Sequence, residues 1–183
     1  MREATVMRQT ETARLILRAP LESDTEALLA IRNSGFVQRY NAMEIVGAER
    51  LRRQIEKDIE NGTAIHLVRK ADNRLIGGIW MAEDDVRYDV KVRSLSYYLA
   101  EEYARQGYMK EALGAVIDAL FREDPVLELV SARVFRGNAA SERLLLSLGF
   151  TYEGCIRRCV RDKRGVVHDD MQFSLLREEW SAN

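Results

Sequence analysis

An α/β (α+β) fold, in which helices cover both faces of a mixed sheet, is predicted by three features of this sequence. The strand-like segment from Leu95 to Leu99 runs through a short acidic loop into a glycine-centred turn that opens a helix, Ala104-Arg105-Gln106-Gly107-Tyr108-Met109-Lys110-Glu111-Ala112-Leu113. That helix places Met109, Ala112, Leu113, Val116, Ile117 and Leu120 at three- and four-residue intervals, one apolar stripe suited to packing on a sheet. A second strand, Leu127 to Val134, leads through Arg136-Gly137-Asn138 into another helix, with Asn138 where an N-cap belongs and Gly149 just past the helix end.

The remaining elements follow in order. Ala13 to Arg18 reads as a strand, and Ser23-Asp24 as the cap of a helix running to Asn33. Ala48 to Glu60 is a helix, charged on most faces and ended by Asn61-Gly62. Ala64 to Val68 and Leu75 to Met81 form a hairpin reversed at Asp72-Asn73, whose side chains favour turns. Val92 to Leu99 is the next strand. After the helix of Ala139 to Leu148, Tyr152 to Val160 and Val167 to Leu176 make a closing strand pair joined by Arg161 to Gly165.

The chain has 183 residues, 46% of them hydrophobic, and two prolines, which fits one packed domain. A formal net charge of −1 gives no bulk attraction to nucleic acid. Met1 to Arg8 lacks the apolar core of a signal peptide, and no apolar run reaches membrane-spanning length, so a cytoplasmic protein with no membrane partner is expected. Cys155 and Cys159, four apart in an extended strand, are too far separated for a disulfide and read as free thiols. With only His66 and His168 besides, no metal site is expected.

The turn at Gly107 has a chemical meaning. The first N–H groups of a helix lack intrahelical partners, the helix dipole adds positive character there, and a residue without a side chain lets an anion approach the backbone. Phosphate is the natural occupant.

Together these segments resemble the GNAT (GCN5-related N-acetyltransferase) superfamily, and within it the RimJ/RimL-like branch. Thr12-Ala13-Arg14-Leu15-Ile16-Leu17-Arg18 is similar to its opening strand, and Ile76-Gly77-Gly78-Ile79 to its third. Tyr103 to Leu113 is similar to the acetyl-CoA pyrophosphate loop and its helix. Asn138-x-x-Ser141 through Leu148-Gly149-Phe150 resembles the second cofactor motif, and Asp169 with Ser174 to Trp180 the closing strand and tail. The resemblance implies a mostly antiparallel sheet with a splayed central strand pair. It assigns residues 12–180 to a single N-acetyltransferase domain and 1–11 to an N-terminal extension, with either Met1 or Met7 as the start.

By the same resemblance, acetyl-CoA is the acyl donor and no metal takes part. The splayed strand offers Tyr97, Tyr98 and Leu99 to pantetheine and the acetyl carbonyl. Arg105, Gln106, Gly107, Tyr108 and Met109 supply the loop donors, and Lys110 a charge-assisted contact to phosphate. Asn138 caps its helix and touches the pantetheine arm, and Ser141 stands near the thioester sulfur as a proton donor. The family's glutamate on the strand before the loop is here Ser94, and Ala104 and Met109 depart from the usual loop ends.

The base that deprotonates the amine is therefore left open. Glu83 is the first carboxylate considered, beside Asp84 and Asp85, with His168 and Asp169 as further choices. An α-amine, with a pKa near 8, needs less help than a lysine near 10.4. The resemblance implies a protein or peptide N-terminus as acceptor, a ribosomal protein among the choices, and allows a homodimer. A small-amine acetyltransferase and a non-catalytic CoA-binding module remain the alternatives.

Overall fold

The computed structural model describes residues 9–181. The expected start at Met1 or Met7 and most of the 1–11 extension lie outside the described residues. Eight strands occur among those described: β1 (Thr10–Glu11), β2 (Leu15–Arg18), β3 (Ala64–Arg69), β4 (Arg74–Ala82), β5 (Val92–Leu99), β6 (Leu129–Phe135), β7 (Thr151–Arg161) and β8 (Val167–Leu176). The α-helices are α1 (Thr25–Asn33), α2 (Gly35–Gln38), α3 (Ala48–Asn61), α4 (Tyr108–Glu123), α5 (Ala139–Ser147) and α6 (Arg177–Ser181). The hydrogen-bonded strand order is β1-β2-β3-β4-β5-β6-β8-β7, in which β5 and β6 run parallel and the neighbours within β1–β4 and within β6–β8 antiparallel. This is the mixed, mostly antiparallel α/β architecture expected.

The chain forms two compact units. The first comprises the residues up to Gln38, Ile45–Trp80 and Tyr97–Asp124. Its strand β3 is buried along nearly its whole length, which is why Ala64-Ile65-His66-Leu67-Val68 shows no polar alternation. Leu28 of α1 with Leu51 and Ile55 of α3 forms an apolar cluster completed by Leu75, Trp80 and Tyr98. The α4 stripe is buried as its spacing predicts, with Ala112, Leu113, Val116 and Ile117 fully inaccessible. Burying each of the larger ones is worth about 1.5–3 kcal/mol. Gly62 ends α3 in the left-handed conformation, φ 62°.

One expectation in this unit holds in position but not in chemistry. Asp24 is the N-cap residue of α1, but Glu22–Asp24 form a short 3₁₀ turn and the Asp24 side chain makes no cap bond to α1. The carboxylate is buried instead and accepts from both terminal nitrogens of Arg18, at 2.8 and 2.7 Å, and from the Leu21 N–H at 2.8 Å. Nδ1 of the fully buried His66 faces it at 2.7 Å. A bidentate guanidinium inside the fold outcompetes a solvent-side cap bond.

The second unit comprises Arg39–Glu44, Met81–Ser96 and the residues from Pro125 onward. Here β6 pairs with β8 over seven positions, from Leu129↔Leu176 to Phe135↔Asp170. Helix α5 begins and ends as its sequence announces. Asn138 Oδ1 accepts from the Ser141 N–H at 3.3 Å. Gly149, at φ 90°, lets its own N–H reach the Leu146 carbonyl and that of Phe150 the Leu145 carbonyl, a Schellman closure. Strand β7 is not the regular strand expected, for its register with β8 shifts between Ile156 and Val160 and Arg158 takes φ 53°. Cys155 is exposed and Cys159 half-buried, both unbridged, and the bulge breaks the simple alternation that would have put them on one face.

Candidate active site

In the first unit, Tyr97, Tyr98 and Leu99 close β5, a 3₁₀ turn at Glu101–Tyr103 follows, and Ala104–Gly107 delivers the chain to α4. Gly107 is the α4 N-cap at φ 81°, ψ 0°, with no side-chain cap bond. The left-handed conformation is what its missing Cβ permits. The N–H groups of the first α4 turn are thereby presented at an exposed loop, while the Tyr108 and Met109 side chains are buried beneath it. Arg105, itself at φ 60°, and Lys110 are exposed on either side of the glycine.

The loop is braced from β2's approach. Arg14 Nη1 donates to the Gln106 carbonyl at 2.9 Å, Arg14 Nε to Glu111 Oε2 at 2.7 Å, and its guanidinium lies 4.2 Å from the Tyr108 ring centroid. Glu111 Oε1 also accepts from the Thr12 hydroxyl at 2.6 Å and the Arg14 N–H at 2.8 Å. Burial alone would raise the Glu111 carboxyl, but Thr12 and Arg14 hold it below its ordinary value. Gln106 Nε2 donates to the Glu102 carbonyl at 2.6 Å, a second tie across the same turn. Sequence reading missed Arg14 and Glu111; an acid one turn into a helix beside an apolar stripe was their only signal.

Behind the loop, Tyr98 stacks on Trp80 with ring centroids 4.4 Å apart, and Trp80 Nε1 donates to Asp58 Oδ2 at 3.2 Å. Burial pushes the Tyr98 hydroxyl well above the usual phenol range, so it stays protonated at any physiological pH. A Cβ on Gly77 would collide with the Tyr98 carbonyl oxygen and lie 3.0 Å from Leu99 Cα. β4 and the end of β5 touch backbone to backbone there.

In the second unit, the β5–β6 ladder covers only Val92↔Leu129 to Leu95↔Ala132, although both strands continue beyond it. Asn138 and Ser141 stand together at the α5 N-terminus, half-buried, joined by the cap bond. Glu83 is exposed in the loop after β4. Its neighbour Asp84 is drawn inward, accepting from the Ser131 hydroxyl at 2.6 Å, the Val86 N–H at 2.7 Å and Arg87 at 2.9 Å. Burial raises its carboxyl, and those three donors more than offset it. Arg87 also grips Glu153 at 2.6 Å, and Glu153 accepts from the Ser174 hydroxyl at 2.8 Å. His168 stacks on Phe135 at 4.4 Å with its Nε2 3.0 Å from Asp162 Oδ2. Asp169 Oδ1 accepts from the Arg158 N–H at 2.8 Å.

One strip of this unit was not foreseen. Ser131 on β6 and Asp170, Gln172 and Ser174 at alternate positions of β8 are all at most 5% exposed. Oδ1 of Asp170 and both amide atoms of Gln172 are buried without a hydrogen-bond partner. In the sequence these positions read only as part of one strand of the closing pair.

The profile of the Acetyltransferase (GNAT) domain matches residues 14–151. The chain belongs to the GNAT acetyltransferase family. It is 30% identical over 138 residues to the SPbeta prophage-derived uncharacterized N-acetyltransferase YokL of Bacillus subtilis, covering 74% of this chain and 75% of that one. The uncharacterized N-acetyltransferase YoaA of the same organism is 29% identical over 179 residues, 91% of this chain and 96% of its own. Among solved structures, RimL, a ribosomal L7/L12 α-N-protein acetyltransferase in complex with coenzyme A, shares the fold at a TM-score of 0.77, with 23% identity, 90% of this chain and 95% of that one. This GNAT member is accordingly an acyltransferase of the N-acetyltransferase type. Among the described residues no cluster of metal-ligating side chains occurs, and no helix is long and apolar enough to cross a membrane.

Proposed function

We infer that this protein transfers the acetyl group of acetyl-CoA to the α-amine at the N-terminus of a protein or peptide. The observation that carries the reading is the left-handed Gly107 opening a sixteen-residue helix on a loop held by Arg14 and Glu111. Such a loop fits a pyrophosphate, offering the N–H groups of Arg105 to Met109, with Lys110 for charge. Tyr97, Tyr98 and Leu99 would hold pantetheine, and Asn138 its far arm. Ser141 would donate to the departing sulfur. Glu83, exposed, is available to draw a cationic acceptor. Bound acetyl-CoA supplies the activated acyl group; the chain supplies donors, orientation and the route for protons.

RimL, with the same fold, is by its name an α-N-protein acetyltransferase, and this supports the N-terminal acceptor. Residues 12–180 acting as one acetyltransferase domain accord with a relative matched over nearly its whole length. Titration calorimetry with acetyl-CoA, followed by thiol release against N-terminal peptides and small amines, tests the reading. Binding with peptide-dependent release is expected. Release with small amines alone would reassign the acceptor, and no acetyl-CoA binding would remove the reading.

A further inference from the structure

The strip on β8 carries three buried polar atoms with nothing in the protein to satisfy them. Leaving a buried donor or acceptor unmade is costly, so a strand that keeps three within two alternate residues is built for something that supplies the partners. Asp170 and Gln172 stand on the same face, two residues apart. Phe135 and Ile156, the residues directly opposite Asp170 on β6 and β7, wall it with apolar side chains. Arg133, the β6 partner of Gln172, is exposed.

The groups that face Asp170 come from every neighbouring strand: the Cys159 thiol on β7, which hydrogen-bonds to the carboxylate, Arg133 on β6, and His168 on β8 itself. Cys159 in turn has Asp85 in its surroundings and Arg133 Nη1 at 4.0 Å. Burial outweighs them and raises the Asp170 carboxyl above its ordinary value. A carboxylate so placed is a better proton acceptor than a solvated one.

On the basis of N-terminal acetyl transfer, the activity inferred for this protein, we propose that Asp170 and Gln172 form the acceptor site, with Asp170 as the base. An α-ammonium brings N–H donors for Asp170 Oδ1 and Gln172 Oε1, and the carbonyl of the same residue accepts from Gln172 Nε2. A peptide N-terminus uses all three atoms, whereas an alkylamine leaves the Gln172 donor unmet. In the reaction the ammonium gives one proton to Asp170 and the freed lone pair attacks the thioester carbonyl carbon. The C–N bond forms and the C–S bond breaks. Of the two protons the nitrogen loses, one ends on the sulfur as the CoA thiol and the other passes to solvent.

The test compares wild type with Asp170→Asn, Asp170→Glu and Gln172→Leu, using alanine- and serine-initiated tetrapeptide amides and n-butylamine as probes. Acetyl-CoA affinity by calorimetry is expected to be the same in all four proteins. Asp170→Asn lowers kcat/KM for the peptides by roughly 100-fold or more and loses the ascending limb of its pH profile, and Asp170→Glu restores part of both. Gln172→Leu raises the peptide KM about tenfold at unchanged kcat, and raises that of n-butylamine by a smaller factor, since the alkylamine loses only the bond to Oε1. Wild-type peptide kinetics and pH profile in Asp170→Asn would overturn the proposal and leave the strip a place for water only. Should wild type bind acetyl-CoA yet acetylate neither probe, carboxyl ¹³C NMR decides: the Asp170 signal, assigned by its loss in Asp170→Asn, shifts on adding peptide, and a static signal overturns the site. Failure of wild type to bind acetyl-CoA strikes the proposed function itself, before any variant is made.

Discussion

Arg14 and Glu111, 97 residues apart in sequence, meet at 2.7 Å to hold the turn that opens α4. The pair is more than a surface ion pair, because Glu111 also takes the Thr12 hydroxyl and the Arg14 N–H while Arg14 reaches the Gln106 carbonyl. Arg14 is 44% exposed, so its Coulomb energy is screened, and its use is geometric: it sets the direction of the loop carbonyl and hence of the N–H groups around it.

Arg14→Ala should therefore weaken acetyl-CoA binding about five- to tenfold, the loss of one or two charge-assisted bonds worth about 1–1.5 kcal/mol. Turnover at saturating donor should change less than twofold. Calorimetry and initial rates measure both, and unaltered affinity would show that the loop holds its shape without the brace.

Gly77→Ala places a methyl against the Tyr98 carbonyl oxygen, which belongs to the backbone and cannot swing aside. A loss of about 1–3 kcal/mol in urea unfolding is expected. A change below about 0.5 kcal/mol would mean that β4 and β5 slide apart freely at this point.

Asp24 gives the protein a pH dependence of known sign. Burial raises its carboxyl, but Arg18, His66 and the Leu21 N–H together hold it far below the usual carboxylate range. The folded state thus binds this proton more weakly than the unfolded chain, whose value is near 3.9. Its stabilisation is complete above that value and drains as pH falls through it toward the depressed folded one. Asp24→Asn should cost about 3–5 kcal/mol at pH 7 and less at each step below pH 4. Parallel stability–pH curves for the two proteins would refute the linkage.

Ser141→Ala should lower kcat about tenfold or more with acetyl-CoA affinity unchanged, as for a group that acts only as the thiolate departs. The Ser141 N–H, not its hydroxyl, makes the cap bond to Asn138, so α5 should keep its melting behaviour. Loss of binding in step with loss of rate would make the hydroxyl structural.

Features with local causes were legible in the sequence. The α4 stripe, the Asn138 cap and the Gly62 and Gly149 terminations each depend on residues within a few positions, and all appear where spacing put them. The cap bond expected of Asp24 is absent because an acid before a helix looks the same whether its side chain caps or is buried, and the fold brings it the bidentate Arg18 and, from 42 positions away, His66. The β7 bulge has no signature, since Arg158 is an unusual choice for a left-handed residue. Asp170 and Gln172 were passed over for a related reason: alternation tells which face a side chain takes, not what covers that face. The cradle was visible as a glycine before a helix, and its brace, drawn from the bend before β2, 97 positions upstream, was not.

The buried strip of β8 also bears on how this protein would respond to selection for heat resistance. Replacing Asp170 or Gln172 by a β-branched apolar residue removes unmet polar atoms from an interior strand, among the easiest stabilising changes the fold offers. A laboratory lineage screened on melting temperature alone would be drawn to those two codons early, and with Asp170 and Gln172 as the acceptor site it would lose its substrate in the same step. Retaining an acid and an amide there marks the place where endurance has been traded for chemistry.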